Sequence, residues 1–138
     1  MSTTLIIGLP GSGKTTYAKE HCKGCLFYDL DYLKAALTYS DVHAPDDEDA
    51  RKLANSFLTT FMILSSGAFT RDLCIIRTAP KIAEMETIKP DKMVVMLTEY
   101  DITGRADYHE IDIEEYNMRI NACIKWCDKN GVEIVLEE

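Results

Sequence analysis

The sequence is poor in the features that define several protein classes. Its 138 residues include only four prolines and seven glycines, which excludes collagen-like and Pro/Gly-rich low-complexity chains. No apolar run approaches the roughly 18 residues of a membrane-spanning helix. Residues 1–7 lack the basic segment and long apolar run of a secretory signal. We therefore expect a cytoplasmic protein with no membrane partner.

Positive charge is also scarce. There are 15 Lys and Arg residues against 23 Asp and Glu residues, a formal net charge of −8. This excludes the broad basic surface of a duplex-DNA binder, although a local basic pocket for phosphates remains compatible. Hydrophobic residues make up 46% of the chain, which excludes a disordered one. The length predicts a single domain over residues 1–138.

Short apolar runs alternate with helix-like segments along the chain. The predicted strands are 3–7, 26–28, 73–76, 93–97 and 132–136. The predicted helices are 14–22, 32–39, 80–87 with Pro80 in the first turn, and a long one from 113 that Asn130 and Gly131 stop. Strands that are apolar on both faces and separated by helices predict a three-layer α/β fold. Its parallel sheet would have about five strands and helices on both faces.

Two helices have a predicted packing face. Residues 40–49 form a predicted acidic loop, and the helix after it ends at residues 65–67. Its apolar face would consist of Leu53, Phe57, Thr60, Phe61 and Leu64. The last helix would use Ile113, Tyr116, Ile120, Cys123, Ile124 and Cys127.

The five cysteines are interpreted as reduced thiols. Five is an odd number, and a chain of this length can build a core without disulfides. Cys22 and Cys25 form a C-x-x-C pair, and Cys123 and Cys127 lie four residues apart, so a four-thiolate zinc site is conceivable. The second pair falls on the apolar face of the last helix, which favours packing of the thiols instead.

The strongest motif is GLPGSGKT at residues 8–15, which matches G-x-x-x-x-G-K-[ST] in full. It follows a predicted buried strand and opens a predicted helix, as a phosphate-binding loop (P-loop) requires. Lys14 would reach the β- and γ-phosphates of ATP, and the Thr15 hydroxyl would bind Mg²⁺. The predicted nucleotide-contacting residues are Gly8, Pro10, Gly11, Ser12, Gly13, Lys14, Thr15 and Thr16.

Two carboxylates follow the second predicted strand. In extended backbone Asp29 and Asp31 point the same way. One would accept the proton of an attacking hydroxyl, and Asp29 would hold Mg²⁺ through water. The alternative is a pair of solvated loop acids or helix caps, because Asp31 stands just before the helix predicted from Tyr32.

The P-loop together with YDLDYLK at residues 28–34 resembles the polynucleotide-kinase-type branch of P-loop kinases. The resemblance implies that Asp31 is the general base for the acceptor hydroxyl and that Lys34 contacts an acceptor phosphate. The D-L-D run after strand two and I-R-T-A-P after strand three are also similar to small P-loop proteins of tailed bacteriophages, which would place the protein in the host cytoplasm.

Arginines follow the next two strands. The resembled family has an acidic metal-holding residue after strand three, whereas this chain has Arg77. A cation cannot bind a metal, so Arg77 would contact phosphate oxygens or pair with a nearby carboxylate. In residues 98–110, the position of the kinase lid, Arg105 is the only cation. Arg105 would stabilise the transferred phosphoryl group or pair with its acidic neighbours. Arg119, in the next helix, is predicted to be an exposed helix residue.

The sequence thus predicts a Mg-ATP-dependent kinase with Lys14, Asp31, Arg77 and Arg105 as catalytic residues. Its acceptor would be a hydroxyl of a nucleotide, nucleoside or nucleic-acid end. The alternatives are an ATPase or NTP-dependent switch that acts through a protein partner, and a nucleotide-binding domain without turnover.

Overall fold

Five strands and five helices alternate in the computed structural model, which describes residues 2–68, 70–98, 101–106, 108 and 110–138. The strands are β1 (Thr3–Ile7), β2 (Leu26–Asp29), β3 (Leu73–Arg77), β4 (Lys92–Met96) and β5 (Glu133–Glu137). The helices are α1 (Lys14–His21), α2 (Leu30–Thr38), α3 (Glu48–Ala68), α4 (Ile82–Ile88) and α5 (Ile113–Asn130).

The strands form one parallel sheet in the order β2-β3-β1-β4-β5. In register, Ile7 at the end of β1 faces Arg77 of β3 on one side and Val95 of β4 on the other. The carboxyl ends of all five strands therefore lie at one edge of the sheet. The predicted α/β class and the five-stranded parallel sheet are confirmed.

Each face of the sheet has its own core because alternate strand residues point to opposite sides. On one face, residues such as Leu5, Ile75 and Met93 pack against α3, α4 and α5. On the other face, Ile6 and Val94 pack against α1. Helices on both faces are thus confirmed. No helix within the described part of the chain combines the length and apolarity that crossing a membrane requires.

Helix ends follow local chemistry at two places. Asp47 accepts a hydrogen bond from the backbone N–H of Ala50 at 2.9 Å and so caps the start of α3. Gly131 ends α5 with a φ of 68°, a left-handed conformation that glycine adopts without strain. The predicted end of the last helix is confirmed.

The predicted packing face of α3 is wrong for three residues. Leu53 is 47% exposed, Phe57 is 37% exposed, and Thr60 is also exposed. The buried residues are instead Ala50, Ala54 and Leu58, with Phe61 and Met62 packed beside them. The helix packs beside α2, and the Tyr28 hydroxyl of β2 donates to the carbonyl of Ala54 at 2.6 Å. The side chain of Leu64 lies outside the described residues.

Several predicted boundaries also shift. The long helix α3 continues to Ala68 rather than ending at residues 65–67, and it begins at Glu48, inside the predicted loop. Pro80 precedes α4 and is not in its first turn, because Lys81 is the N-terminal capping position. Within the predicted α5 face, Ile113 is 50% exposed. The most consequential shift is at α2, which begins at Leu30 rather than Tyr32.

Candidate active site

The segment between β1 and α1 forms a tight loop at the carboxyl edge of the sheet. Gly11 and Gly13 have φ values of 78° and 87°, a left-handed conformation that other residues adopt at a cost. The backbone N–H of Ser12 donates to the carbonyl of Leu9 at 3.1 Å. The two glycines therefore let the loop turn back on itself and lead directly into α1.

Gly8 is required by close approach rather than by its φ. A Cβ atom there would lie 2.6 Å from Ser12 Oγ and 2.9 Å from Met96 Cβ. The Gly8 N–H donates to the carbonyl of Thr78, just after β3, at 3.1 Å. The first residue of the motif is thus held between the ends of β3 and β4.

Lys14 folds back over the loop. Its Nζ donates to the carbonyl oxygens of Gly8 at 2.6 Å and Leu9 at 2.8 Å. Burial lowers the pKa of Lys14 to about 8, against the opposing effect of the Asp31 and Asp29 carboxylates; Arg105 lowers this pKa further. A partly desolvated ammonium group therefore lies at the loop, close to both carboxylates, where phosphate oxygens can replace its two carbonyl partners.

Ser12 provides an independent sign of a ligand. Its hydroxyl oxygen is buried and has no hydrogen-bond partner within the described residues. A buried unpaired hydroxyl is unfavourable unless another polar group satisfies it. Because the hydroxyl belongs to the loop that folds around Lys14, a bound phosphate would supply that partner.

Asp29 and Asp31 do not share an environment, contrary to the sequence prediction. Asp29 ends β2 and is itself the N-cap of α2, since its Oδ1 accepts from the Asp31 N–H at 3.1 Å. Asp31 lies in the first turn of the helix and is exposed. The prediction that Asp31 caps this helix is wrong, because α2 begins two residues earlier and the chain is no longer extended there.

Asp29 is the carboxylate tied to the P-loop helix. It is 9% exposed, and its Oδ2 accepts a hydrogen bond from Thr15 Oγ1 at 3.1 Å. Burial, followed by the negative charge of Asp31, raises the pKa of Asp29. The hydroxyl and the carboxylate form a pair of hard oxygen ligands of the type that Mg²⁺ prefers.

Lys34 lies among acids one helical turn beyond Asp31. Its Nζ is 3.7 Å from Asp31 Oδ1 and 3.2 Å from Asp46 Oδ1. Arg51 also pairs with Asp46. The start of α2 is therefore linked to the loop before α3 by a small network of partly exposed charges.

Arg77 ends β3 and forms a largely buried ion pair. Its Nη2 is 2.7 Å from Glu84 Oε2, and its Nη1 donates to Asn55 Oδ1 at 2.9 Å. The Arg77 side chain is only 14% exposed. The guanidinium thus links the end of β3 to α3 and α4, which matches the ion-pair alternative left open by the sequence.

Arg105 approaches the site from the predicted lid. Its Nη2 donates to Nδ1 of His43 at 2.7 Å, which joins the lid to the loop before α3. Among the acidic neighbours considered in the sequence, Glu99 and Asp107 lie outside the described residues. Arg119, predicted to be exposed, is partly buried, and its Nη1 approaches the carbonyl of Ala79 at 3.5 Å.

The two cysteine pairs lie on opposite faces of the sheet. Cys22 and Cys25 belong to the α1 side, whereas Cys123 and Cys127 are buried under α5. The two pairs therefore cannot converge on one zinc ion. Burial raises the pKa of both Cys123 and Cys127 to about 11, as expected for thiols that pack as small apolar groups.

Sequence reasoning missed three features of the site. His43 carried no motif, and its role as the partner of Arg105 depends on how two distant loops meet. The capping role of Asp29 had a detectable signal, since Asp is a preferred N-cap residue, but the helix start was misplaced. The unpaired Ser12 hydroxyl could not be inferred from the motif alone.

The sheet order and the loop between β1 and α1 define a P-loop nucleotide-binding α/β protein of the kinase and ATPase type. The chain matches the model of the AAA_33 family, an AAA domain, over residues 4–122, and it belongs to that family.

Other comparisons add less. The search of curated proteins found no match. One similar solved structure is an unliganded sugar kinase from Janibacter sp. HTCC2649. It is 15% identical, with 93% of this chain and 95% of that chain covered and a TM-score of 0.43.

Proposed function

We propose that the protein binds Mg-ATP at the P-loop and transfers the γ-phosphoryl group to a hydroxyl of a nucleotide, nucleoside or nucleic-acid end. The observation that carries the proposal is the arrangement around Lys14. Its ammonium group lies inside the loop, and the Asp31 and Asp29 carboxylates are the charges that most favour its protonated form. In phosphoryl transfer to a hydroxyl, a cation holds the phosphates, one carboxylate can take the proton of the hydroxyl, and another can hold the metal ion.

The loop would bind the phosphates by exchanging internal partners for the ligand. Lys14 would leave the carbonyls of Gly8 and Leu9 for phosphate oxygens, and the buried Ser12 hydroxyl would gain a partner. The N-terminus of α1 adds partial positive charge at the same place. Binding therefore replaces existing hydrogen bonds with stronger charge-assisted ones.

The residues present fit a magnesium ion. The Thr15 hydroxyl and the Asp29 carboxylate, 3.1 Å apart, would hold it, with Asp29 acting directly or through water. When bound, magnesium neutralises negative charge on the phosphates.

Asp31 would take the proton from the acceptor hydroxyl. The acceptor oxygen would form a bond to the γ-phosphorus while the bond to the bridging oxygen breaks, so that ADP leaves. Lys34, beside Asp31, would hold a phosphate of the acceptor where one is present. Arg105 would stabilise the charge on the transferred group, whereas Arg77 at the end of β3 is already paired with Glu84 and would hold the site in shape.

One observation favours a second candidate, an ATPase or NTP-dependent switch that acts through a protein partner. The last residue of β3 is Arg77, which is already paired with Glu84, so this position supplies a cation and not a metal-holding acid. In this alternative water replaces the hydroxyl acceptor, and free phosphate is the product.

Labelled ATP distinguishes the two candidates. The protein is incubated with [γ-³²P]ATP and magnesium, with adenosine, AMP or a 5′-hydroxyl oligonucleotide as acceptor. The kinase predicts label on one of these acceptors. The ATPase predicts label only in free phosphate. Absence of both products, with ATP binding retained, would overturn both candidates and leave a binding domain without turnover.

Matched variants assign the residues. Lys14→Ala should abolish ATP binding in calorimetry, whereas Lys125→Ala, on the exposed surface of α5, should leave it unchanged. Asp31→Asn should reduce transfer to an acceptor about 100-fold or more but leave ATP affinity intact. Asp128→Asn is its control, an exposed acid near the end of α5. Unchanged transfer in Asp31→Asn would overturn its role as the base.

A further inference from the structure

A cavity of about 330 Å³ lies beside the P-loop helix, at the edge of the sheet formed by β2. It opens between α1, which contributes Thr15 and Ala18, and the first turn of α2, which contributes Tyr32. Its volume falls at the lower end of the range of small-molecule sites. The cavity thus fits a compact ligand and not a long polymer.

The walls of the cavity are aromatic and its floor is apolar. Phe27 and Tyr32 line it and are 42% and 44% exposed, unusually high for large aromatic side chains. Ala18 and Ile76, which also line it, are almost fully buried at 1% and 5% exposure. Two exposed rings over a buried apolar floor form a surface that an aromatic ligand would cover favourably.

Tyr32 is held in position by Lys19. The Lys19 Nζ donates to the Tyr32 hydroxyl at 3.1 Å and lies 5.3 Å from the centre of its ring. A wall that is already fixed loses less conformational entropy when a ligand binds. The cavity is therefore partly preorganised before any ligand enters.

The polar end of the cavity is the catalytic end. Thr15 and Asp29 line the same cavity as Phe27. Phe27 and Asp29 are two residues apart on β2, so their side chains lie on one face about 6–7 Å apart. A ligand whose ring contacts Phe27 can therefore direct a polar arm toward Asp29, at the turn into α2 whose first residues include Asp31.

The charge of the lining favours a neutral ligand. Among the described residues that line the cavity, Lys19 is the only cation and Asp29 the only acid. A phosphate-bearing ligand would be expected to meet several cations. The cavity therefore suits an uncharged group.

We propose that this cavity binds the aromatic end of the hydroxyl acceptor, and that the acceptor is an uncharged aromatic alcohol of nucleoside size. The inference rests on the proposed function and narrows its acceptor class. The acceptor hydroxyl lies at the turn that carries Asp29 and Asp31, loses its proton to Asp31, and gains the γ-phosphoryl group as ADP leaves. A bare sugar would leave the aromatic walls uncovered.

Calorimetry with the full chain tests the proposal in the presence of magnesium and a non-hydrolysable ATP analogue. The probes are adenosine, thymidine, 2-phenylethanol and ribose. Adenosine or thymidine should bind, and ribose should not. Phe27→Ala and Tyr32→Ala should each weaken binding about tenfold. Tyr32→Phe should restore most of the affinity, because it keeps the ring and loses only the contact with Lys19.

The control is Leu136→Ala, which removes a 60% exposed apolar side chain from β5, the opposite edge strand. It should change neither acceptor nor ATP-analogue affinity, and all variants should keep the wild-type melting temperature. Binding of 2-phenylethanol as well would support a general aromatic alcohol site, and its absence would support a nucleoside site.

Three results would overturn the cavity assignment. The first is that no aromatic probe binds. The second is that Phe27→Ala and Tyr32→Ala bind the aromatic probes as tightly as the wild type does. The third is that ribose binds as tightly as adenosine. An aromatic probe that binds but never receives label from ATP would overturn its role as acceptor. These failures are separate from failure of the proposed function, in which no acceptor, including AMP and the 5′-hydroxyl oligonucleotide, would receive label from ATP.

Discussion

The P-loop and the predicted lid, of which residues 98, 101–106, 108 and 110 are described, are held by different kinds of contact. The loop is fixed by its own atoms and by the sheet, through the bonds of Lys14 to two loop carbonyls and of Gly8 to Thr78. Within residues 101–106 of the lid, Thr103 bonds to Asp101 and Arg105 N–H bonds to the carbonyl of Ile102. One long-range contact of the described lid residues joins Arg105 to His43, in the loop before α3.

The P-loop is therefore fixed by contacts within one short segment and with the strands beside it. The loop keeps its shape as long as the strands around it exist. The position of residues 101–106 instead depends in part on the contact between Arg105 and His43, in two loops that are distant in the sequence. Substitutions in the loop should therefore act on nucleotide binding, whereas substitutions in the lid should act on turnover.

The largest effect is expected from paired glycine substitutions. In Gly8→Ala the new Cβ would meet Ser12 Oγ at 2.6 Å and Met96 Cβ at 2.9 Å, so the loop must shift. We expect a loss of ATP affinity of about 100-fold or more, or about 2.7 kcal/mol. Calorimetry gives the affinity. Gly104→Ala is the lid control, since none of the residues that the structure describes lies within 4 Å of a Cβ built there, and it should bind ATP normally. Equal affinities in the two variants would contradict the tight packing of the loop.

The next largest effect separates the two arginines. Under the proposed function, Arg105→Ala should lower kcat about tenfold to 100-fold, because it removes the cation that would stabilise the transferred group. Arg77→Ala should instead lower the free energy of unfolding by about 2 kcal/mol, because Glu84 and Asn55 lose their partner. Steady-state kinetics and urea unfolding measure the two quantities. If Arg77→Ala lowered kcat and Arg105→Ala did not, Arg77 would be the catalytic cation.

The pH dependence of ATP affinity isolates Lys14. Its pKa of about 8 in the free protein should rise when phosphates bind, because they stabilise the ammonium form. Above pH 8, ATP binding therefore takes up a proton. The affinity for ATP should be constant below pH 8 and should fall by up to about tenfold per pH unit above pH 8. Calorimetry from pH 6.5 to 9.5 measures the profile. Lys14→Arg should remove the fall, since arginine stays protonated throughout this range. A wild-type profile that stays flat to pH 9.5 would contradict the lowered pKa.

The smallest effect is expected from a substitution at Asp112, which lies between the predicted lid and α5. Asp112 caps α5, because its Oδ1 accepts from the Glu115 N–H at 3.1 Å. Asp112→Ala should lower the free energy of unfolding by about 1 kcal/mol and leave ATP affinity unchanged. Urea unfolding and calorimetry measure both. A large loss of ATP affinity would mean that the loop and the lid are more strongly coupled than their contacts indicate.

Sequence patterns predicted the structure correctly where a single short segment determines it. GLPGSGKT predicted a loop between a buried strand and a helix, and the loop lies between β1 and α1. The continuous apolar runs predicted buried parallel strands, and Gly131 predicted the end of α5. In each case, neighbouring residues supply both the chemistry and the geometry.

Prediction failed where a side chain depends on the element beside it. The sequence predicted that α2 begins at Tyr32, but it begins at Leu30. Asp29 is therefore the buried N-cap and Asp31 an exposed residue of the first turn, although the two residues looked equivalent in the sequence. The apolar spacing of α3 gave no sign that Ala54, and not Leu53, would meet the core. Such outcomes depend on the direction from which two elements approach each other.

The sequence by itself determined the phosphate loop and the alternation of strands and helices, because backbone preferences and apolar periodicity act over a few residues. Only the tertiary structure decided which carboxylate is buried against Thr15, which arginine is committed to an ion pair, and that His43 meets Arg105. The physical reason is that burial and pairing are properties of surfaces brought together from distant parts of the chain.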